Sequence, residues 1–144
     1  MKYAYSLKTT RIKEPDFPYS GKKIKAATDV VSFASDIQNS DIEKFITLYL
    51  NSDNRINGMN ITTGTVNCAM PHLREIFKHA LLSASASIIL IHNHPSGNLT
   101  PSEQDKKFTK EVRQAGELMG VKVLDHIIMG EDNKFFSFSE EGLL

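Results

Sequence analysis

Ser87-Ile88-Ile89-Leu90-Ile91-His92-Asn93-His94-Pro95-Ser96-Gly97-Asn98-Leu99-Thr100-Pro101-Ser102-Glu103-Gln104-Asp105 is the stretch on which the reading of this chain turns. Its first five residues form a short apolar run, the pattern of a central strand buried on both faces. That strand delivers His92 and His94 at its C-terminal end. Side chains two apart on a strand point to the same side, so the two imidazoles converge if the strand persists through them. The loop from Pro95 to Leu99 is rich in turn residues and can fold back sharply. Thr100-Pro101-Ser102-Glu103 then reads as a helix start, with Thr100 as cap, Pro101 preset for the first turn and Glu103 completing a capping box. Asp105 falls just past that first turn, and Ser102, three residues earlier, shares its helix face.

Two imidazoles and one carboxylate are a common ligand set for catalytic zinc, and three protein ligands leave a place free for water. Zinc suits His92, His94 and Asp105 best, although the residue types alone admit other divalent metals. Bound zinc lowers the pKa of its water to roughly 7. A neighbouring carboxylate could take the proton, and Ser102 could donate a hydrogen bond to the oxyanion formed when a carbonyl is attacked. The plainer alternative is a pair of packed or surface histidines, since His at i and i+2 often means nothing. A carboxylate in a capped helix start, with Ser102 on its face, weighs against that alternative.

Outward from this stretch the chain alternates between strand and helix. Thr28-Asp29 marks a helix start, with a short helix to about Gln38. Phe45 to Leu50 is a nearly continuous apolar run and reads as a buried strand, Asn51 to Asn54 as a turn, and Arg55 to about Val66 as a returning strand. Pro71 fits the first residue of a helix whose core face carries Leu73, Ile76, Phe77, Ala80, Leu81 and Ala84. Phe108, Val112, Ala115 and Met119 mark a face of the helix after Ser102, and Gly120 ends it. Val121 to Met129 reads as a strand, Gly130 to Asn133 as a hairpin turn, and Lys134 to Phe138 as the strand pairing back. This order implies an α/β sandwich, a mixed sheet flanked by helices. Residues 1–27 read as an N-terminal arm, with an edge strand near Tyr3 to Leu7 and a solvated basic face at Lys22-Lys23-Ile24-Lys25; residues 28–144 form the domain.

The chain has 144 residues, enough for one domain with a true core. Its 17 basic residues balance its 17 acidic ones, so no global field draws it to nucleic acid or an anionic membrane. No stretch approaches the ~20 apolar residues of a membrane span. The single cysteine, Cys68, forms no internal disulfide, fits a reducing, cytoplasmic setting and reads as a small core residue. His72 and His79 stand two helical turns apart and read as surface residues. His126, beside Asp125, reads either as a residue orienting a metal ligand or as a buried histidine bonded within the sheet.

His-x-His, seven residues, Ser, two residues, Asp resembles the metal-binding signature of the JAB/MPN (JAMM) metalloprotease fold. The fuller pattern, with Gly64-Thr65-Val66-Asn67, Arg74-Glu75-Ile76-Phe77-Lys78 and Leu124-Asp125-His126-Ile127-Ile128, resembles the bacterial RadC family over roughly residues 28–138. The resemblance implies a cytidine-deaminase-like α/β/α sandwich with zinc held by His92, His94 and Asp105. It implies a general base at Glu43, just before the first strand, with Glu75 as competitor, and an oxyanion-assisting role for Ser102. The implied activity is zinc-dependent hydrolysis of a peptide or isopeptide bond in a protein or peptide substrate. The alternatives are a DNA-repair accessory protein or a metal-dependent nuclease, and a non-catalytic scaffold. Longer members carry an N-terminal helix-hairpin-helix module, for which the first 27 residues are too short, so the expectation is an isolated catalytic-type domain without a DNA-binding module. Oligomeric state is not legible.

Overall fold

Residue alternation along the strands decides how this chain layers. The structure is a computed structural model that describes residues 21–64 and 70–144, the side chain of Asp36 excepted. Five strands form one mixed sheet: β1 (Lys44–Leu50), β2 (Ile56–Thr63), β3 (Ser87–Asn93), β4 (Lys122–Met129) and β5 (Phe135–Ser137). Their spatial order is β2-β1-β3-β4-β5, with β3 and β4 parallel and every other pair antiparallel. β3 is the centre, and all seven of its residues are buried, as its unbroken apolar run requires.

One sheet face carries Ile46, Leu48, Leu50, Ile89, Ile91, Ile127 and Met129. It is covered by α1 (Ala27–Phe33) and the single turn α2 (Ser35–Gln38), through Val30, Val31, Phe33, Ala34 and Ile37. The other face carries Phe45, Tyr49, Ile88, Leu90 and Val123. It is covered by α3 (Leu73–Leu82) through Ile76, Phe77 and Ala80, and by α4 (Glu103–Met119) through Phe108 and Val112. The α/β/α sandwich expected from the sequence is therefore the observed fold. Each fully buried Leu, Ile or Phe in these two layers contributes about 1.5–3 kcal/mol.

α4 links β3 to its parallel neighbour β4, so its N-terminus returns over the C-terminal end of β3. It ends at Gly120, whose φ of 70° is the left-handed conformation that glycine adopts without penalty. Its start differs from the sequence expectation. Ser102, not Thr100, is the cap: its backbone is extended, and its Oγ accepts the Asp105 amide at 3.0 Å. Thr100 is held outside the helix because its own amide donates to Asn98 Oδ1 at 3.0 Å.

Pro71 likewise lies two residues outside α3, which begins at Leu73 with His72 as its extended cap. Ala84, expected on the α3 core face, lies beyond the helix at φ 50°. The Ser83 hydroxyl donates back to the His79 carbonyl at 2.8 Å, a local bond that competes with helix continuation. The helix expected over 28–38 is broken at Ala34, and Asp29 rather than Thr28 secures its start by accepting the Lys25 and Ala26 amides at 2.8 and 3.0 Å. Ile24, in the stretch read as an arm, is buried in the core against α1, and Lys23 pairs with Arg55 beside β2. The expected edge strand near Tyr3, the C-terminal end of the returning strand at Val66, and Cys68 lie outside the described residues.

Candidate metal centre

His92 is the sixth residue of β3 and alternates onto the α3/α4 face, where its ring stacks on Phe45 at a centroid distance of 5.7 Å. His94 follows the end of the strand. The Gly97 amide closes the next turn onto the His94 carbonyl at 2.9 Å, with Gly97 at φ 74°, a conformation suited to glycine. That turn brings the Asn98 carbonyl to 2.6 Å from His94 Nδ1. A carbonyl only accepts, so Nδ1 carries the hydrogen, and Nε2 of the neutral ring presents a lone pair.

Asp105 arrives from α4. Its Oδ2 accepts the Ser102 amide at 2.7 Å, reciprocating the Ser102 cap, so the capping box that starts the helix also aims the carboxylate. His92 Nε2 lies 3.0 Å from His94 Nε2 and 3.3 Å from Asp105 Oδ1, and His94 Nε2 lies 3.2 Å from Asp105 Oδ2. The structure thus brings the three expected ligands together within the span that one ion coordinated at about 2.0–2.2 Å requires.

The electrostatics suit a cation. Burial opposes ionisation of Asp105, but the His92 and His94 rings and the Ser102 amide outweigh it and hold the carboxyl far below the usual carboxylate range. The hydrogen bond to Asp105 raises His94 above its ordinary value, against desolvation. Both shifts favour positive charge where the two imidazoles and the carboxylate meet.

Glu43 precedes β1 and reaches the same cluster. Its Oε1 is 3.9 Å from His92 Nε2, and Glu43, His92 and His94 offer ligand atoms within 4.8 Å of one another. Asp105 lies closer to both imidazoles than Glu43 does to His92, and is also anchored by the helix cap. The Glu43 side chain is 34% exposed, against 3% for Asp105. Glu75 stands elsewhere, paired on α3 with Lys78 at 2.8 Å, a bond that holds its carboxyl below the ordinary range.

Three residues that position this cluster were not singled out or not resolved from sequence. Asn93 alternates to the opposite face from His92; its Oδ1 accepts the Lys44 amide at 2.7 Å and its Nδ2 donates to the Ser40 and Ile42 carbonyls at 3.2 Å. It thereby pins the segment bearing Glu43 to the end of β3. His126 is fully buried, and its Nε2 meets His92 Nδ1 at 2.8 Å, an arrangement that both of its sequence readings allow. Desolvation, reinforced by His92, lowers its pKa well below the ordinary value and keeps it neutral. Thr109 closes this bonded chain. It stands four residues after Asp105, the helical spacing that could have revealed it. His79 is half-buried with its ring edge-on to Tyr49 at 6.0 Å, rather than the surface residue expected.

A mixed α/β/α sandwich with two histidines and a carboxylate meeting at the end of its central strand defines a domain of the JAB class with a candidate metal site. Sequence comparison makes the assignment specific. The RadC-like JAB domain matches residues 24–143, and the chain belongs to that family. It is similar to UPF0758 proteins of Chlorobium chlorochromatii (strain CaD3), 46% identical over 125 residues, and Desulforamulus reducens (strain ATCC BAA-1160 / DSM 100696 / MI-1), 45% over 123. A third, from Desulforudis audaxviator (strain MP104C), is 49% identical over 104 residues. These alignments cover 85%, 84% and 72% of this chain but 56%, 54% and 45% of the relatives, so the chain spans about half their length.

Proposed function

We propose that this chain is a zinc-dependent hydrolase of amides, acting on a peptide or isopeptide bond. The observation carrying this reading is the meeting of three electron-pair donors: His92 Nε2, His94 Nε2 and an Asp105 carboxylate held ionised, all within 3.3 Å of one another. These residues hold the ion, and zinc supplies Lewis acidity toward water and a carbonyl oxygen. Among the described residues Glu43 is the carboxylate beside the cluster that combines proximity with solvent access, so in this reading it receives the proton of the attacking water and delivers it to the leaving nitrogen. Ser102 Oγ is occupied as an acceptor by the Asp105 amide, and no acceptor for its hydrogen lies among the described residues. In this reading that hydrogen is directed at the developing oxyanion.

Elemental analysis of protein purified without chelator tests the metal, and a library of fluorogenic peptide and isopeptide substrates tests the chemistry. The wild type should carry about one zinc per chain and His94→Ala should carry none. Glu43→Gln should keep the metal and lose roughly 10²–10⁴-fold in turnover. Metal-free wild type, or a His94→Ala protein with undiminished zinc, would defeat the proposal.

A further inference from the structure

His92 ligates through Nε2 only if its single hydrogen sits on Nδ1. Three short contacts behind it determine where that hydrogen goes. His92 Nδ1 meets His126 Nε2 at 2.8 Å, His126 Nδ1 meets Thr109 Oγ1 at 2.6 Å, and Thr109 Oγ1 meets the Asp105 backbone carbonyl at 2.6 Å. His92, His126 and Thr109 are all buried, so bulk solvent does not reach these contacts.

The Asp105 carbonyl can only accept, and Thr109 has one hydroxyl hydrogen. If that hydrogen pointed at His126, the two oxygens at 2.6 Å would face each other with none between them. Pointed at the carbonyl, it leaves Thr109 Oγ1 to accept from His126 Nδ1. His126 Nε2 is then a bare acceptor, and it takes the hydrogen of His92 Nδ1. With neutral rings this is the arrangement that puts one hydrogen in each of the three contacts. It leaves the lone pair of His92 on Nε2, facing His94 and Asp105.

We infer that Thr109 is a positioning residue for the metal site: through His126 it fixes the tautomer in which His92 can bind an ion. The signal originates at the backbone of Asp105, another ligand, so the helix that supplies the carboxylate also prepares the imidazole. Removing the Thr109 oxygen leaves the His126 Nδ1 hydrogen without an acceptor in a dry site, a cost the ring escapes by moving that hydrogen to Nε2. It then donates to His92 Nδ1 and forces the His92 hydrogen onto Nε2, where the metal belongs. Thr109→Val keeps the branched shape and removes the oxygen; Thr109→Ser keeps the oxygen.

The inference rests on the metal-site reading, and the experiment separates the two. Ring nitrogen NMR on the metal-free, ¹⁵N-histidine-labelled full chain reads the tautomers, and chelator competition reads zinc affinity. The wild type should show hydrogen on Nδ1 of both His92 and His126. Thr109→Val should move both to Nε2 and weaken zinc binding by roughly 10–100-fold, with Thr109→Ser restoring both. A wild type with hydrogen on His126 Nε2 overturns the inference without any variant. Unchanged tautomers and affinity in Thr109→Val overturn it while leaving the metal site standing. A wild type that binds no zinc but shows the Nδ1 tautomers defeats the hydrolase and sustains the hydrogen-bond ordering.

Discussion

In the proposed centre a proton and a metal ion would compete for the same lone pair on His94. Its hydrogen bond to Asp105 raises its pKa above the ordinary 6.5, so the metal-free ring keeps its proton to higher pH. In metal-free protein this pairing adds stability below the unfolded pKa and loses it as pH rises through the folded value. The depressed Asp105 carboxyl works in the other direction, adding stability above its unfolded pKa and losing it on acidification. Zinc affinity, measured by chelator competition, should therefore climb with pH through a window lying above 6.5. A flat profile there would mean that Asp105 does not hold a proton on His94. His92, His94 and Asp105 were legible because all three sit in one contiguous pattern. Glu43 was reachable only through family resemblance, since nothing in its neighbourhood distinguishes it from Glu75. Asn93 was silent because it acts on backbone groups of a segment some fifty residues away, which leave no mark in local sequence; Thr109 showed only its four-residue spacing from Asp105, while its other partner, His126, is distant in sequence.

Strands announced themselves better than helix ends. β1 and β3 are apolar runs that only a sheet buried on both faces explains, and the structure extends them by one or two residues. Helix starts were ambiguous because Thr100 and Ser102 both stand three residues before an acidic side chain, so each could begin a capping box. What chose between them was the Asn98 turn that restrains Thr100, a loop effect that helix rules do not contain. The break at Ala34 has no glycine or proline to foretell it. Within α4, Gly116 is a different matter. Its carbonyl accepts the Val121 amide at 2.9 Å, and a Cβ at this position would run into the Val121 carbonyl oxygen. Helix propensity alone favours alanine over glycine by about 1 kcal/mol. Overpacking against rigid backbone costs about 1–3 kcal/mol, so Gly116→Ala should lower stability in urea unfolding despite the better helix former. A stabilised variant would show that α4 can pull away from β4.

At the scale of the whole molecule, the proposed ligands join β3 to α4 and, through Glu43, adjoin the entry to β1. An ion bound only in this folded arrangement stabilises by mass action, about 2.7 kcal/mol at a free concentration 100 times Kd. For a domain of this length that is roughly 5–10 °C in Tm. Thermal melts should show the rise with zinc, its reversal with EDTA, and neither effect in His94→Ala. Equal shifts in His94→Ala would place the binding elsewhere. No described helix is long and apolar enough to cross a membrane. The layered architecture was legible throughout because two-faced burial of β3 demands cover on both sides. One further property follows from the unequal exposure of the cluster, where His92 and Asp105 are 0% and 3% exposed while His94 and Glu43 reach solvent at 17% and 34%. Any ion or solute arriving from solvent therefore meets His94 and Glu43 before it meets His92 or Asp105.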